Sequence, residues 1–108
     1  MVENEIQAME ADVLDDGNII KLKKPLKNGK DSLVLDFDRL TGYTLVKCER
    51  AARKDDKTMT VPLLSQVYLA NVAAVAAGVK YDDILGLSAI DFQSVTLRAQ
   101  GFLTGSQD

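Results

Sequence analysis

The stretch that most restricts the fold is nearly apolar on all sides and runs from Pro62 to Ala77. Proline suits the first turn of a helix and Gly78 suits its carboxy cap, so the stretch is predicted to form one helix. A helix without a polar face either lies at the centre of a domain or leaves one side for a partner, and the sequence leaves both open. A membrane span is not expected, because polar and helix-breaking residues interrupt the run.

Helices are predicted on both sides of this stretch. A helix over about 41–54, capped by Asp38 or Thr41, carries an apolar stripe and a basic last turn. A short helix is predicted over 81–87. Ser88 and Asp91 resemble a capping box, with Asp in place of Glu, that opens a last helix through about residue 103.

Two alternating segments before these helices predict a β-hairpin. Residues 19–24 and 32–37 flank an Asn28-Gly29 turn signal. Its apolar face comprises Ile20, Leu22, Leu33, Leu35 and Phe37. The predicted fold class is therefore α+β, with a two-stranded β-hairpin packed against a bundle of three to four α-helices. The predicted organisation is an acidic flexible arm (1–17), one α+β domain (18–103) and a disordered tail (104–108).

The residue types leave little room for enzyme chemistry. The 108 residues include no His and 1 Cys, so neither a Ser-His-Asp triad nor a Cys-His pair can form. Structural zinc sites are built from several Cys and His ligands, of which this chain has one. The sequence therefore predicts a non-enzyme with no catalytic, cofactor or metal site, in the reducing cytoplasm. Cys48 lies on an apolar helix stripe and is expected to be a buried, unreactive thiol.

Charge is distributed unevenly along the chain. Residues 1–18 hold six acidic residues and no basic one, whereas 19–57 hold eleven basic residues against six acidic ones. Within 1–18, Ile6, Met9, Val13 and Leu14 have the spacing of a short amphipathic helix that could bind a partner, but a frayed tail is the favoured interpretation.

A lysine run on the predicted hairpin comprises Lys21, Lys23, Lys24, Lys27 and Lys30. It could contact phosphates, which makes a small nucleic-acid-binding regulator the alternative function. Aromatic residues for base stacking are missing from the run and the net charge is −3, so a solvated strand face is the favoured interpretation.

Three segments carry a family resemblance: IKLKKP at 20–25, LVLDFDRLTG at 33–42 and GVKYDDILGLSAIDF at 78–92, with an alanine-rich helix before the third. Together with the following helix ending in Phe102-Leu103, they resemble the small tail assembly chaperones of Mu-like and related tailed bacteriophages and prophages. The resemblance covers about residues 18–103. It implies a non-enzymatic protein that binds and solubilises the tape measure protein and helps to recruit tail tube subunits. Such a protein acts in the host cytoplasm and is absent from the mature virion.

A client with exposed apolar helix faces needs a binder with an apolar groove. The residues predicted to bind such a partner are Leu64, Val67, Tyr68, Val72, Val75, Ile90 and Phe102. Self-association is also expected. Membrane binding is not expected, and nucleic-acid binding is the less favoured function.

Overall fold

A computed structural model describes residues 19–105 of the chain. The predicted acidic arm at 1–17 and residues 106–108 of the predicted tail lie outside the described residues. The elements are β1 (Ile19–Lys21), β2 (Ser32–Val34), α1 (Gly42–Asp55), α2 (Gln66–Ala77), α3 (Tyr81–Leu85) and α4 (Ala89–Thr104). A two-stranded antiparallel sheet and four helices confirm the predicted α+β class.

The hairpin forms as predicted, with Ile20 paired to Leu33, but each strand has only three residues. Past β1 the chain approaches Pro25, which has no N–H for a strand ladder. Past β2 the backbone turns to the helices, and the Asp36 N–H donates to the Ala76 carbonyl at 2.9 Å. The Leu22 N–H still donates to the Asp31 carbonyl across the hairpin at 2.7 Å, but the Lys23 and Asp36 N–H groups bond to Asp91 and Ala76 outside it, so the regular strands are shorter than predicted. Gly29, at a φ of +90°, occupies the turn.

Thr41, rather than Asp38, caps α1. Its hydroxyl accepts from the Thr44 N–H at 3.5 Å, and the Thr44 hydroxyl accepts from the Thr41 N–H at 2.7 Å. This reciprocal arrangement satisfies backbone donors that the first turn of a helix leaves without partners. The predicted stripe is confirmed, since Cys48 and Ala52 are buried.

Helix α2 lies at the centre of the fold. It begins at Gln66, later than predicted, because the Ser65 hydroxyl caps it by accepting from the Tyr68 N–H at 3.2 Å. Pro62–Leu64 forms a separate 3-10 turn. The residue after α2 is Gly78 with a φ of +70°, which confirms the predicted carboxy cap. Helices α1, α3 and α4, together with β2, all pack against α2, so most of its surface is buried.

The start of α4 corrects the predicted capping box. The Ser88 hydroxyl accepts from the Asp91 N–H at 3.2 Å, as predicted for a cap. The Asp91 carboxylate does not return to Ser88; its Oδ2 accepts the Lys23 N–H of the hairpin at 2.6 Å. The shorter Asp side chain favours this partner, and the bond joins the hairpin to α4 across the sequence. Helix α4 ends at Thr104, the first residue of the predicted tail.

Candidate protein-binding surface

The outward side of α1 exposes apolar side chains between basic ones. Tyr43 is 87% exposed and Val46 is 50% exposed. Lys47 and Arg50 lie one turn further along the same side and are also exposed. These four residues, here called the α1 surface, line a shallow groove of about 590 Å³ together with Thr41 and Gly42. The surface combines apolar area with two positive charges.

A second groove, the α1–α2 groove, adjoins the α1 surface. Its volume is about 310 Å³. The lining residues are Thr44, Lys47, Cys48, Ala51, Asn71, Ala74, Val75, Val79 and Tyr81. The Asn71 side-chain amide donates to the Val67 carbonyl at 2.8 Å, so its polar group is satisfied within α2. Lys47 lines both grooves, so the two grooves are neighbours on the same side of the domain.

The Cys48 thiol and the Tyr81 hydroxyl in the wall of the α1–α2 groove are held in their neutral forms by a raised pKa. Burial raises the pKa of the Cys48 thiol, and the nearby positive charge of Lys47 lowers it by less. Burial likewise raises the pKa of the Tyr81 hydroxyl, helped by the negative charges of Asp55 and Asp82. Neither group therefore adds a negative charge to the groove near neutral pH, which suits an apolar ligand. The raised thiol pKa also fits the prediction of an unreactive Cys48.

The partner residues predicted on α2 separate into two sets. Val72 is 0% exposed and Tyr68 is 7% exposed, so both belong to the core and neither offers a surface to a partner in this fold. Val67 and Val75 are half-buried and lie on the stripe of α2 that its neighbours leave open. Val75 alone among the seven predicted residues lines the α1–α2 groove.

The other predicted residues lie apart from this groove. Leu64 is 75% exposed in the turn before α2. Ile90 is 61% exposed on the outer side of α4. Phe102 is 37% exposed, and its ring stacks on Phe37 with the ring centroids 4.5 Å apart. The structure therefore does not gather the predicted residues into one patch.

The exposed apolar residues of α1 are not among the partner-binding residues predicted from the sequence. Tyr43 and Val46 are spaced by three residues, and both fall outside the stripe that contains Cys48 and Ala52. Two apolar residues at helical spacing on the otherwise basic side of a helix are a visible signal for an apolar surface.

A further groove lies between the hairpin and α4 and has a different chemistry. Its volume is about 650 Å³, and it is lined by Lys21, Lys23 and Arg98 together with Asp31 and Asp91. Apolar groups also contribute through Ile19, Ile20 and Ile90, with Ser32 and Ser94 completing the wall. The mixture of charges makes it less suited to an apolar helix than the α1–α2 groove.

Among residues 19–105, no cluster of three or more acidic, Cys or His side chains could hold a metal ion. The helices of the same region are too short or too polar for a bilayer crossing. Comparison with protein-family models, with curated proteins and with solved structures found no match.

Proposed function

We propose that this chain is a non-enzymatic assembly chaperone that binds apolar helix faces of a client protein. The observation that supports the proposal best is that the α1–α2 groove lies next to the α1 surface, with Lys47 lining both. Together they present Tyr43, Val46, Ala51 and Val75 along one side of the domain. Amphipathic helices bind in grooves of this kind by seating side chains from successive turns.

The extent of this surface matters because association is costly. Fixing two proteins together costs an estimated ~4–15 kcal/mol, whereas full burial of one large apolar side chain contributes roughly 1.5–3 kcal/mol. Several client side chains must therefore be buried at once. The two neighbouring grooves bring several apolar side chains together, whereas the exposed side chains Leu64 and Ile90 stand apart from each other and from the grooves.

The resemblance to phage tail assembly chaperones supplies the proposed client. The tape measure protein is long and helical with apolar patches, and the chaperone would keep it soluble until tail tube subunits are recruited. On this proposal the chain works in the bacterial cytoplasm and is absent from the mature virion. The neutral groove with Lys47 at its edge would bind an apolar helix face and leave the polar face of that helix in water.

Ala51→Glu should weaken client binding without unfolding the domain. Ala51 is exposed on α1 and lines the α1–α2 groove, and Glu is a good helix former. The carboxylate would enter the apolar contact, so at least a tenfold loss of affinity is expected, which corresponds to about 1.4 kcal/mol. The measurement is co-expression with the longest helical protein encoded beside this chain, as the candidate client, followed by pull-down in low and high salt.

Ala89→Glu is the matched control, because Ala89 is also exposed and helical but lies on α4 away from the groove. The unmodified chain and the control should each form a salt-resistant complex that keeps the client soluble. A client that stays insoluble beside the unmodified chain would contradict the chaperone role. Equal binding by the two variants would instead place the client elsewhere on the domain.

The exposed lysines of the hairpin favour nucleic-acid binding as the second candidate function. Lys21 and Lys23 line the groove that also contains Arg98, and Lys24, Lys27 and Lys30 are exposed in the connection between the strands. Such a cluster would bind phosphates with strong salt dependence. A mobility shift of DNA or RNA that salt weakens, and that Lys23→Glu with Lys27→Glu abolishes, would support this function over the first.

A further inference from the structure

The α1 surface has charges that the described part of the chain does not neutralise. The carboxylate of Glu49 binds Arg53 at 3.0 Å on the neighbouring side of α1. Across residues 19–105, no carboxylate lies within 4 Å of Lys47 or Arg50 in an ion pair. These two cations flank Tyr43 and Val46, so the surface suits a ligand that is both acidic and apolar.

The sequence itself contains a segment with that chemistry. Residues 1–18 hold six acidic residues and no basic one. Ile6, Met9 and Val13 are spaced by three and four residues, which spans two turns of a helix. Tyr43, Val46 and Arg50 have the same spacing along α1. The two stripes therefore match in length, two of the three α1 positions are apolar, and the segment and the surface carry opposite charge.

We propose that the acidic segment of one copy of this chain binds the α1 surface of a second copy, with reciprocal exchange in a two-fold dimer. Tyr43 and Val46 would contact the apolar residues of the segment, while Lys47 and Arg50 would pair with its carboxylates. Charge pairs at the edge of such an interface fix orientation and partner choice, and the apolar contacts supply affinity.

The position of the segment's junction favours a second copy over the same chain. The segment joins the fold at Ile19, where β1 packs beside α4. Helix α1 instead packs against α2, so the α1 surface and the junction belong to different parts of the domain. Reciprocal exchange also buries the α1 surfaces of both copies in one closed dimer. Two-fold symmetry of this kind is the commonest among homo-oligomers.

Charge reversal in the full chain tests this inference. Light-scattering mass should rise with concentration from the 11.8 kDa of one chain towards twice that value. Lys47→Glu with Arg50→Glu should abolish the rise, because acidic segment and altered surface then repel each other. Glu10→Lys with Asp12→Lys changes the acidic segment instead of the α1 surface and should also abolish the rise in mass. Lys27→Glu with Lys30→Glu makes the same charge change as the first pair on the hairpin and should leave the dimer intact.

Mixing the two dimer-deficient variants is the decisive step. Each variant then offers the other a complementary segment and surface, so the doubled mass should return only in the mixture. A single-chain mass for the unmodified protein at every concentration would overturn the inference, as would a mixture that stays monomeric. No client is present in these measurements, so they test the dimer separately from the proposed chaperone role. Because the acidic segment and a client would both contact Tyr43 and Val46, the dimer would have to open before a client could bind there.

Discussion

Val72→Asp should unfold the domain. Val72 is 0% exposed on α2, where α1 and α4 both pack, so the new carboxylate would be buried among apolar side chains without a partner. Burial of an unpaired charge ranks among the most destabilising substitutions and should cost more than about 4 kcal/mol. Domains of this size have a free energy of unfolding of only about 5–15 kcal/mol. Thermal denaturation followed by circular dichroism should show no cooperative transition near that of the unmodified chain.

Val61→Asp is the control for this prediction. It makes the same chemical change at a position that is 49% exposed, in the turn before α2 and outside the α1 surface, and should alter the free energy of unfolding by no more than about 0.5 kcal/mol. A Val72→Asp variant that melts like the control would show that α2 is not the centre of the fold. The comparison also affects client assays, because a binding loss on Val72→Asp would reflect unfolding rather than a lost contact.

Leu35→Ala should have the second-largest effect. Leu35 follows β2, is 0% exposed, and lies beside Asp36, whose N–H is bonded to α2. Removing a fully buried leucine side chain costs about 2–5 kcal/mol, because transfer free energy is lost and a cavity remains. In a domain of this size each kcal/mol lowers Tm by roughly 4–8 °C. Chemical denaturation should report the loss as a lower midpoint with an unchanged slope.

The neighbouring residue provides a matched comparison. Val34 precedes Leu35 in sequence but points to the other side of the hairpin, where it is 55% exposed. Val34→Ala should therefore cost less than about 1 kcal/mol. Similar losses for the two variants would mean that the hairpin's inner face does not pack on the helices as described.

Local signals in the sequence predicted most of the secondary structure. Thr41, Gly78 and Ser88 were identified as helix ends because capping depends on a few adjacent residues, and each does end or begin a helix. The start of α2 was misplaced because two local signals compete there. Proline suits a first turn, but the Ser65 hydroxyl reaches a backbone N–H three residues on and determines where the helix begins.

The candidate site was much harder to predict. Val72 and Val75 are the same residue type in the same apolar run, yet one is wholly buried and the other half-buried. Only the directions from which α1 and α4 approach α2 distinguish them, and these directions depend on contacts far apart in sequence. The hydrogen bond from the Lys23 N–H to the Asp91 carboxylate could not be predicted for the same reason, because the two residues are 68 positions apart in the sequence.

The bond between Lys23 and Asp91 has a consequence for folding during synthesis. A ribosome makes the hairpin long before residue 91, so its apolar face has neither α2 nor α4 to cover it while the chain is growing. Contacts between distant parts of a sequence form late and slow the folding of a domain. The nascent hairpin is therefore expected to expose its strand edges to other chains until α4 has been made.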